Sequence, residues 1–217
     1  MLDAVEAILR WTGAVAGLGT LAIALLAMAR SFRRSRGRTE GRAGAILRLP
    51  FLILATIAFL VAGAWLWMPI PLRPGDPVRW TLDVLGGLLL GGGCLLYLWG
   101  LRALGAMFAP SSGFGVALFA GHQLITAGPY AFVRHPMYLG VMLAAWGSLL
   151  LYRTWAVLAF SIIMFGLAVR ARREERVLSD EFGEAWRAYA ARVPAWFPRL
   201  KIRSQSPNDR GPAGRMT

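Results

Sequence analysis

The stretch "GPYAFVRHPMYLG" runs from Gly128 to Gly140 and opens an apolar run that continues to Leu151. Gly128-Pro129 is a turn signal. Pro136 suits the first turn of a helix, where its missing N–H costs nothing. A helix is therefore expected to begin near His135. Its apolar part, 137–151, is followed by Tyr152, Arg153 and Thr154 and then by a second apolar run over 155–171. So short a link implies an antiparallel helical hairpin. A helix of about 15 residues rises only about 23 Å, less than the roughly 30 Å hydrocarbon core. The hairpin is therefore expected to be tilted, extended or shielded by protein. Arg134, His135 and two tyrosines stand at its mouth. The helix N-terminus there offers unpaired N–H groups and a partial positive charge to an anionic group.

Working outward, further apolar segments cover 8–29, 49–68 and 82–101, each of a length to cross a bilayer. The chain is 57% hydrophobic with a mean hydropathy of +0.52. The expected fold is an all-α integral membrane protein with about five transmembrane helices, the last two forming the short hairpin. Residues 174–191 repeat Leu178, Phe182, Ala185, Trp186 and Tyr189 at helical spacing with charges between, which reads as a cytoplasmic amphipathic helix. "RVPAWFPRL" stops that helix with two prolines. Residues 204–217 are polar and read as a disordered tail. The first apolar run carries Asp3 and Glu6 ahead of it, the wrong charge for a signal peptide, and reads as a retained helix.

The net charge of +13 is carried by arginines at the ends of apolar runs. That placement favours membrane topology over nucleic-acid binding. The loop from Arg30 to Arg48 holds seven arginines and one acid, Glu40. By the positive-inside rule it is cytoplasmic, which puts the N-terminus outside and residues 102–136 and the C-terminal part inside. Cys94 is the single cysteine, so neither a disulfide framework nor a cysteine metal site is available, and no metal is expected. "GGLLLGGGC", Gly86–Cys94, lacks the Lys-Ser/Thr of a phosphate loop. Gly87 and Gly91 give the small-residue spacing of close helix packing in lipid.

Three clusters share the cytoplasmic face: "GHQLITAGPYAFVRHPMY" (Gly121–Tyr138), "RARREE" (Arg170–Glu175) and the amphipathic helix. Arg170 and Glu174 lie four apart on one helix face. Singly, each residue is also explained as a topology anchor or a surface ion pair. Together, two carboxylates, a histidine and several arginines facing apolar segments are costly, which points to a site.

"GPYAFVRHPMYLG", then "EE", then "FGEAWRAYAARVPAWFP" resembles the isoprenylcysteine carboxyl methyltransferase and phospholipid N-methyltransferase family, membrane enzymes that use S-adenosylmethionine. The resemblance covers about residues 80–200. It implies that His122, Gln123, Leu124, Ile125, Tyr130, Arg134, His135, Pro136, Met137, Tyr138 and Glu174 hold the cofactor. It implies that Arg170 contacts the substrate, and it makes Arg170, Glu174 and Glu175 the catalytic candidates. It divides a single domain, 1–203, into variable N-terminal helices (1–80) and a catalytic core (81–203). An upstream glutamine of the family has no polar counterpart in "SSGFGVALFAGH", where Gly115 stands. The implied activity is methyl transfer to a membrane lipid or lipid-like acceptor, foremost an isoprenylcysteine-like carboxylate, with a phospholipid amine, small thiol or phenol as alternatives. No obligate protein partner follows. The runner-up among enzymes is the related membrane sterol-reductase architecture using NADPH, against which the EE pair and the RHP proline argue. A non-enzymatic scaffold or transporter would call for polar residues at mid-membrane, which the first three segments hardly offer.

Overall fold

The computed structural model describes residues 2–32, 49–72, 74–108 and 123–198. Among the described residues six α-helices follow in order: α1 (Leu2–Phe32), α2 (Leu49–Trp65), α3 (Asp76–Leu104), α4 (Pro136–Tyr152), α5 (Trp155–Ile163) and α6 (Gly166–Arg192). Short 3₁₀ turns lie at Gly105–Met107 and Gly128–Ala131. Among the described residues, three stretches are long and apolar enough to cross a membrane: Asp3–Arg30, Asp76–Met107 and Trp155–Arg192, the last spanning α5 and α6. Pro136–Tyr152 is a shorter apolar helix. The fold is all-α, as the hydropathy pattern requires. The arginine-rich loop and the polar C-terminal tail lie outside the described residues.

Two boundaries differ from expectation. The segment expected over 155–171 breaks at Met164–Phe165, just before Gly166. The amphipathic stretch is not a separate element, because α6 runs through it from Gly166 to Arg192. The change of direction comes instead at Gly183, whose φ of 51° and ψ of −119° kink α6 internally.

The α4–α5 hairpin is closed by Arg153 and Thr154. Arg153 caps α4 in the left-handed region, at φ 51°. The Thr154 side chain caps α5 by accepting from the Val157 N–H. Ser161 is fully buried and donates to the Ala145 carbonyl at 3.1 Å, pinning the two limbs together. An edge-on contact between Phe59 and Phe160 seats α2 on α5.

The tightest packing joins α3 to α4, and glycines make it. A Cβ on Gly93 would come within 2.5 Å of the Ala144 nitrogen and the Gly140 oxygen. One on Gly147 would strike the Leu90 nitrogen and lie 2.7 Å from the Gly86 oxygen. Gly86 and Gly93 on α3, and Gly140 and Gly147 on α4, are each two turns apart and face each other. The expected pair, Gly87 and Gly91, is not the one used. Gly87 turns toward Leu9 of α1, and Gly91 faces open space. One residue of offset is 100° of helix rotation, enough to move a glycine from one neighbour to another.

The end of the bundle away from "RHPMY" is tied by ions. Asp83, 1% exposed, accepts from Arg153 at 2.7 Å. The other arm of Arg153 donates to Glu6 of α1, also at 2.7 Å. Arg79 bonds Asp3 at 2.8 Å, and Tyr152 donates to the Arg10 carbonyl at 2.6 Å. These contacts fix the N-terminal part of α1 against α3 and α4. Unpairing one partner of a buried set of this kind costs about 3–5 kcal/mol.

The glycine contact predicts opposite outcomes for two similar substitutions. Gly93→Ala should lower the thermal midpoint in detergent, by about 1–3 kcal/mol of overpacking. Gly91→Ala should be neutral or raise it, by up to about 1 kcal/mol of helix propensity. Equal effects at the two positions would contradict the packing described.

Candidate active site

The site sits where α4 begins and α6 passes it. Gly128, at φ 62°, turns the chain into the 3₁₀ segment that carries Tyr130. Pro136 occupies the first position of α4, as its fixed φ favours, with His135 in the capping position. One helical turn brings Tyr138 back beside His135, and their rings stack 5.6 Å apart at 6°. Trp196 flanks the other side of His135 at 5.4 Å.

Glu174 and Glu175 are adjacent on α6 but meet different partners. Glu174 accepts from the Tyr138 hydroxyl at 2.7 Å. The same hydroxyl accepts from Arg170 Nε at 2.8 Å. Arg170, Tyr138 and Glu174 thus form a linear relay in which the phenol bridges cation and carboxylate. The Arg170 guanidinium also lies 5.8 Å from the centre of the Tyr138 ring.

Glu175 faces the loop before α4. Its Oε1 accepts from Arg134 Nε at 2.9 Å and pairs with the Arg134 terminal nitrogen at 2.8 Å. His135 Nε2 lies 2.9 Å from the same oxygen and acts as donor, since a carboxylate only accepts. Sequence reasoning grouped Glu175 with Glu174 as a catalytic candidate. The structure commits Glu175 to bracing Arg134 and His135.

Arg134 does a second job with its remaining donor. Its Nη1 reaches the carbonyls of Ala190 and Val193, at 2.9 and 3.0 Å, where α6 ends. The backbone then continues the contact. Arg134 N–H donates to the Pro194 carbonyl at 2.9 Å, and His135 N–H to that of Ala195 at 3.2 Å. Residues 193–196 are thereby strapped across the start of α4. Trp186 and Tyr189 are buried beneath, with Tyr189 donating to the Tyr130 carbonyl at 2.7 Å.

Two cavities meet at this cluster. The larger, about 330 Å³, is lined on its polar side by Tyr130, Arg134, His135, Tyr138, Arg170 and Glu174. Its apolar side includes Tyr97, Pro136, Met137 and Leu167. The smaller, about 90 Å³, takes Gln123, Leu124 and Ile125 together with Leu178, Trp186 and Tyr189. Tyr130, Arg134, His135 and Glu174 line both. Glu175 lines neither. The larger volume falls in the range of small-molecule sites, apolar with a few converging polar groups. Burial, reinforced by the Glu174 carboxylate, raises the pKa of the Tyr130 hydroxyl, so it stays protonated at neutral pH.

Of the residues expected from sequence, Gln123, Leu124, Ile125, Tyr130, Arg134, His135, Pro136, Met137, Tyr138, Arg170 and Glu174 line one or both cavities. His122 and Gly115 lie outside the described residues. Tyr97 and Leu104 of α3 were not foreseen, for nothing marks them within their apolar run. Trp186 and Tyr189 were foreseen only as an amphipathic stripe. Among the described residues, no group of three or more His, Cys, Asp or Glu side chains converges as a metal site would require.

The strap depends on the forked geometry of Arg134, which a lysine lacks. Arg134→Lys should therefore speed hydrogen exchange at the amides of residues 134 and 135, which donate to the strap, by about tenfold or more, given about 1.5–3 kcal/mol for bonds to charged groups. Unchanged exchange there would mean that Arg134 does not hold the strap.

Known proteins bear on this arrangement. The model of the phospholipid methyltransferase family matches residues 82–185, from α3 through the greater part of α6. Methanethiol S-methyltransferase 2 of Bradyrhizobium diazoefficiens is 28% identical over 179 residues, covering 76% of this chain and 64% of that protein. The cobalt-zinc-cadmium resistance protein CzcN of Cupriavidus metallidurans is 33% identical over 132 residues, 58% of this chain and 52% of its own length. The protein-S-isoprenylcysteine O-methyltransferase of Schizosaccharomyces pombe is 35% identical over 81 residues, 36% and 34% of the two chains. The chain thus spans between about a third and two thirds of the length of these relatives. The three apolar spans and this likeness make it an integral membrane protein. Residues 82–185, which carry both the glycine-packed helices and Glu174, are similar to the phospholipid methyltransferase family.

Proposed function

We propose that the chain is a membrane methyltransferase that moves a methyl group from S-adenosylmethionine to a lipidic or amphipathic acceptor. The observation that carries this reading is the Arg170–Tyr138–Glu174 relay, set in the wall of an otherwise largely apolar cavity. The residues present suit such a donor. Glu174 supplies negative charge toward its cationic groups. Tyr130 and Tyr138 offer ring faces and hydroxyls, and Gln123, Leu124 and Ile125 line a narrow adjoining space suited to a flat, partly polar group.

When bound, S-adenosylmethionine would supply a methyl group already activated by its sulfonium, which an acceptor's lone pair would displace from sulfur, the sulfur keeping the bonding pair. The protein's contribution is then alignment and exclusion of water. Arg170, reaching into the cavity beside Tyr138, holds an acceptor carboxylate, which needs no base. Glu174 takes the proton from an acceptor that carries one. Arg134 and Glu175 act through others, holding His135 and the 193–196 strap in place.

The leading acceptor is a carboxylate of isoprenylcysteine type, on the strength of Arg170 and the apolar wall. A thiol is the second reading. Methanethiol S-methyltransferase 2 aligns with 76% of this chain, and Glu174 is placed to serve as a base. The topology that accompanies the proposal has the N-terminus outside and the site on the cytoplasmic face, supported by the arginines between α1 and α2. Residues 1–203 act as one domain, with membrane lipid as the source of acceptor.

The test is incubation of purified protein with lipid extract and isotopically labelled S-adenosylmethionine, read by mass spectrometry. Label should enter an amphipathic product, and Glu174→Gln should lower the rate by at least about a hundredfold, as for loss of a positioned acid–base or charge-stabilising group. No labelled product from folded wild-type protein, or full activity in Glu174→Gln, would refute the assignment.

A further inference from the structure

α1 lies outside the family match, yet it reaches the site. Toward the ion-tied end it packs closely: Leu9 meets Gly87, and Gly13 faces Leu90, Leu151 and Tyr152. Farther along, Gly17 of α1 and Gly91 of α3 meet nothing within 4 Å. The two helices part, and a space of about 490 Å³ opens between them. Ile23, Leu26 and Ala27 of α1 line one side, and Leu101 and Phe108 line the other. Among the described residues of its wall, Arg30 is the one that carries a charge.

This space adjoins the site. Phe108 lines both it and the 330 Å³ cavity. Met28, next along α1 from Ala27, lines that same cavity. An apolar chain lying in the gap would therefore bring a polar head to Tyr138, Arg170 and Glu174. Arg30 at the rim suits an anionic amphiphile over a cationic one.

We propose that the gap between α1 and α3 seats the apolar chain of the methyl acceptor, so that α1 selects acceptors by chain length. This rests on the methyl-transfer reading and narrows its substrate to a long-chain amphiphile. A methanethiol-sized acceptor would leave the gap to bulk lipid.

The test uses two homologous series, n-alkyl thiols and S-alkyl mercaptopropionates, from ethyl to dodecyl. For the reactive series, kcat/KM should climb by up to about fourfold per buried methylene until the gap is full. Ala27→Trp, which fills the gap, should flatten that climb, lowering kcat/KM for the dodecyl member at least tenfold more than for the ethyl member. The same slope in Ala27→Trp and wild type, or no slope in wild type, overturns the proposal. A second readout needs no turnover. A dodecyl carboxylate with a terminal diazirine should label Ile23, Leu26, Ala27 or Leu101, mapped by peptide mass spectrometry. Labelling confined to α2 or α5 overturns the proposal. A thermal shift with S-adenosylmethionine keeps the two claims apart. Protein that binds the donor but ignores chain length refutes the gap, whereas protein that binds no donor refutes the transfer reading and leaves the labelling to decide the gap.

Discussion

One carboxylate oxygen, Oε1 of Glu175, carries the site. It accepts from both Arg134 and His135, each at 2.9 Å or less. Arg134, so fixed, can reach the open carbonyls of Ala190 and Val193. His135, so fixed, stacks flat on Tyr138, and Tyr138 is then aimed at Glu174. The order of dependence matters. Glu175 is spent on geometry, which leaves its neighbour Glu174 facing the cavity. Two adjacent acids on a helix point about 100° apart, so Glu174 lines the cavity while Glu175 pairs with Arg134 and His135.

That arrangement needs α4 and α6 held at a set distance, which the rest of the bundle provides. Glycines let α3 and α4 approach to backbone contact, the kind of close packing that lipid favours because burying apolar area gains little there. The α4–α5 link then turns the chain back within two residues, with Arg153 locked between Asp83 and Glu6. Among the described residues, α1 is thus tied to α3 and α4 by charge at one end and stands off α3 farther along. The openness falls where α1 leaves α3, beside the cavity.

The sequence was most legible where local chemistry is distinctive. Pro136 marked the start of α4, and the Tyr152–Thr154 link marked the hairpin. The RHPxY and EE motifs hold Arg134, His135, Tyr138 and Glu174 of the polar cavity wall. What stayed hidden depends on which way a helix is turned. Periodicity placed glycines on α3 but chose Gly87 and Gly91 over Gly86 and Gly93, one and two residues away from the contacting positions. It joined 155–171 in one span because the break at Met164–Phe165 falls within apolar residues. It offered both Glu174 and Glu175 as candidates, because a sequence does not show what each of two adjacent helix positions faces. Asp83 offered a signal that passed unread: an ionisable group inside an apolar helix calls for a partner, and Arg153 is that partner.

The central claim is that the cavity beside Glu174 takes a methyl donor. Calorimetric titration of the detergent-purified chain with S-adenosylmethionine tests it most directly. The account predicts saturable one-site binding that is lost in Glu174→Ala. Folded protein that gives no binding heat and no thermal shift with the donor would contradict it.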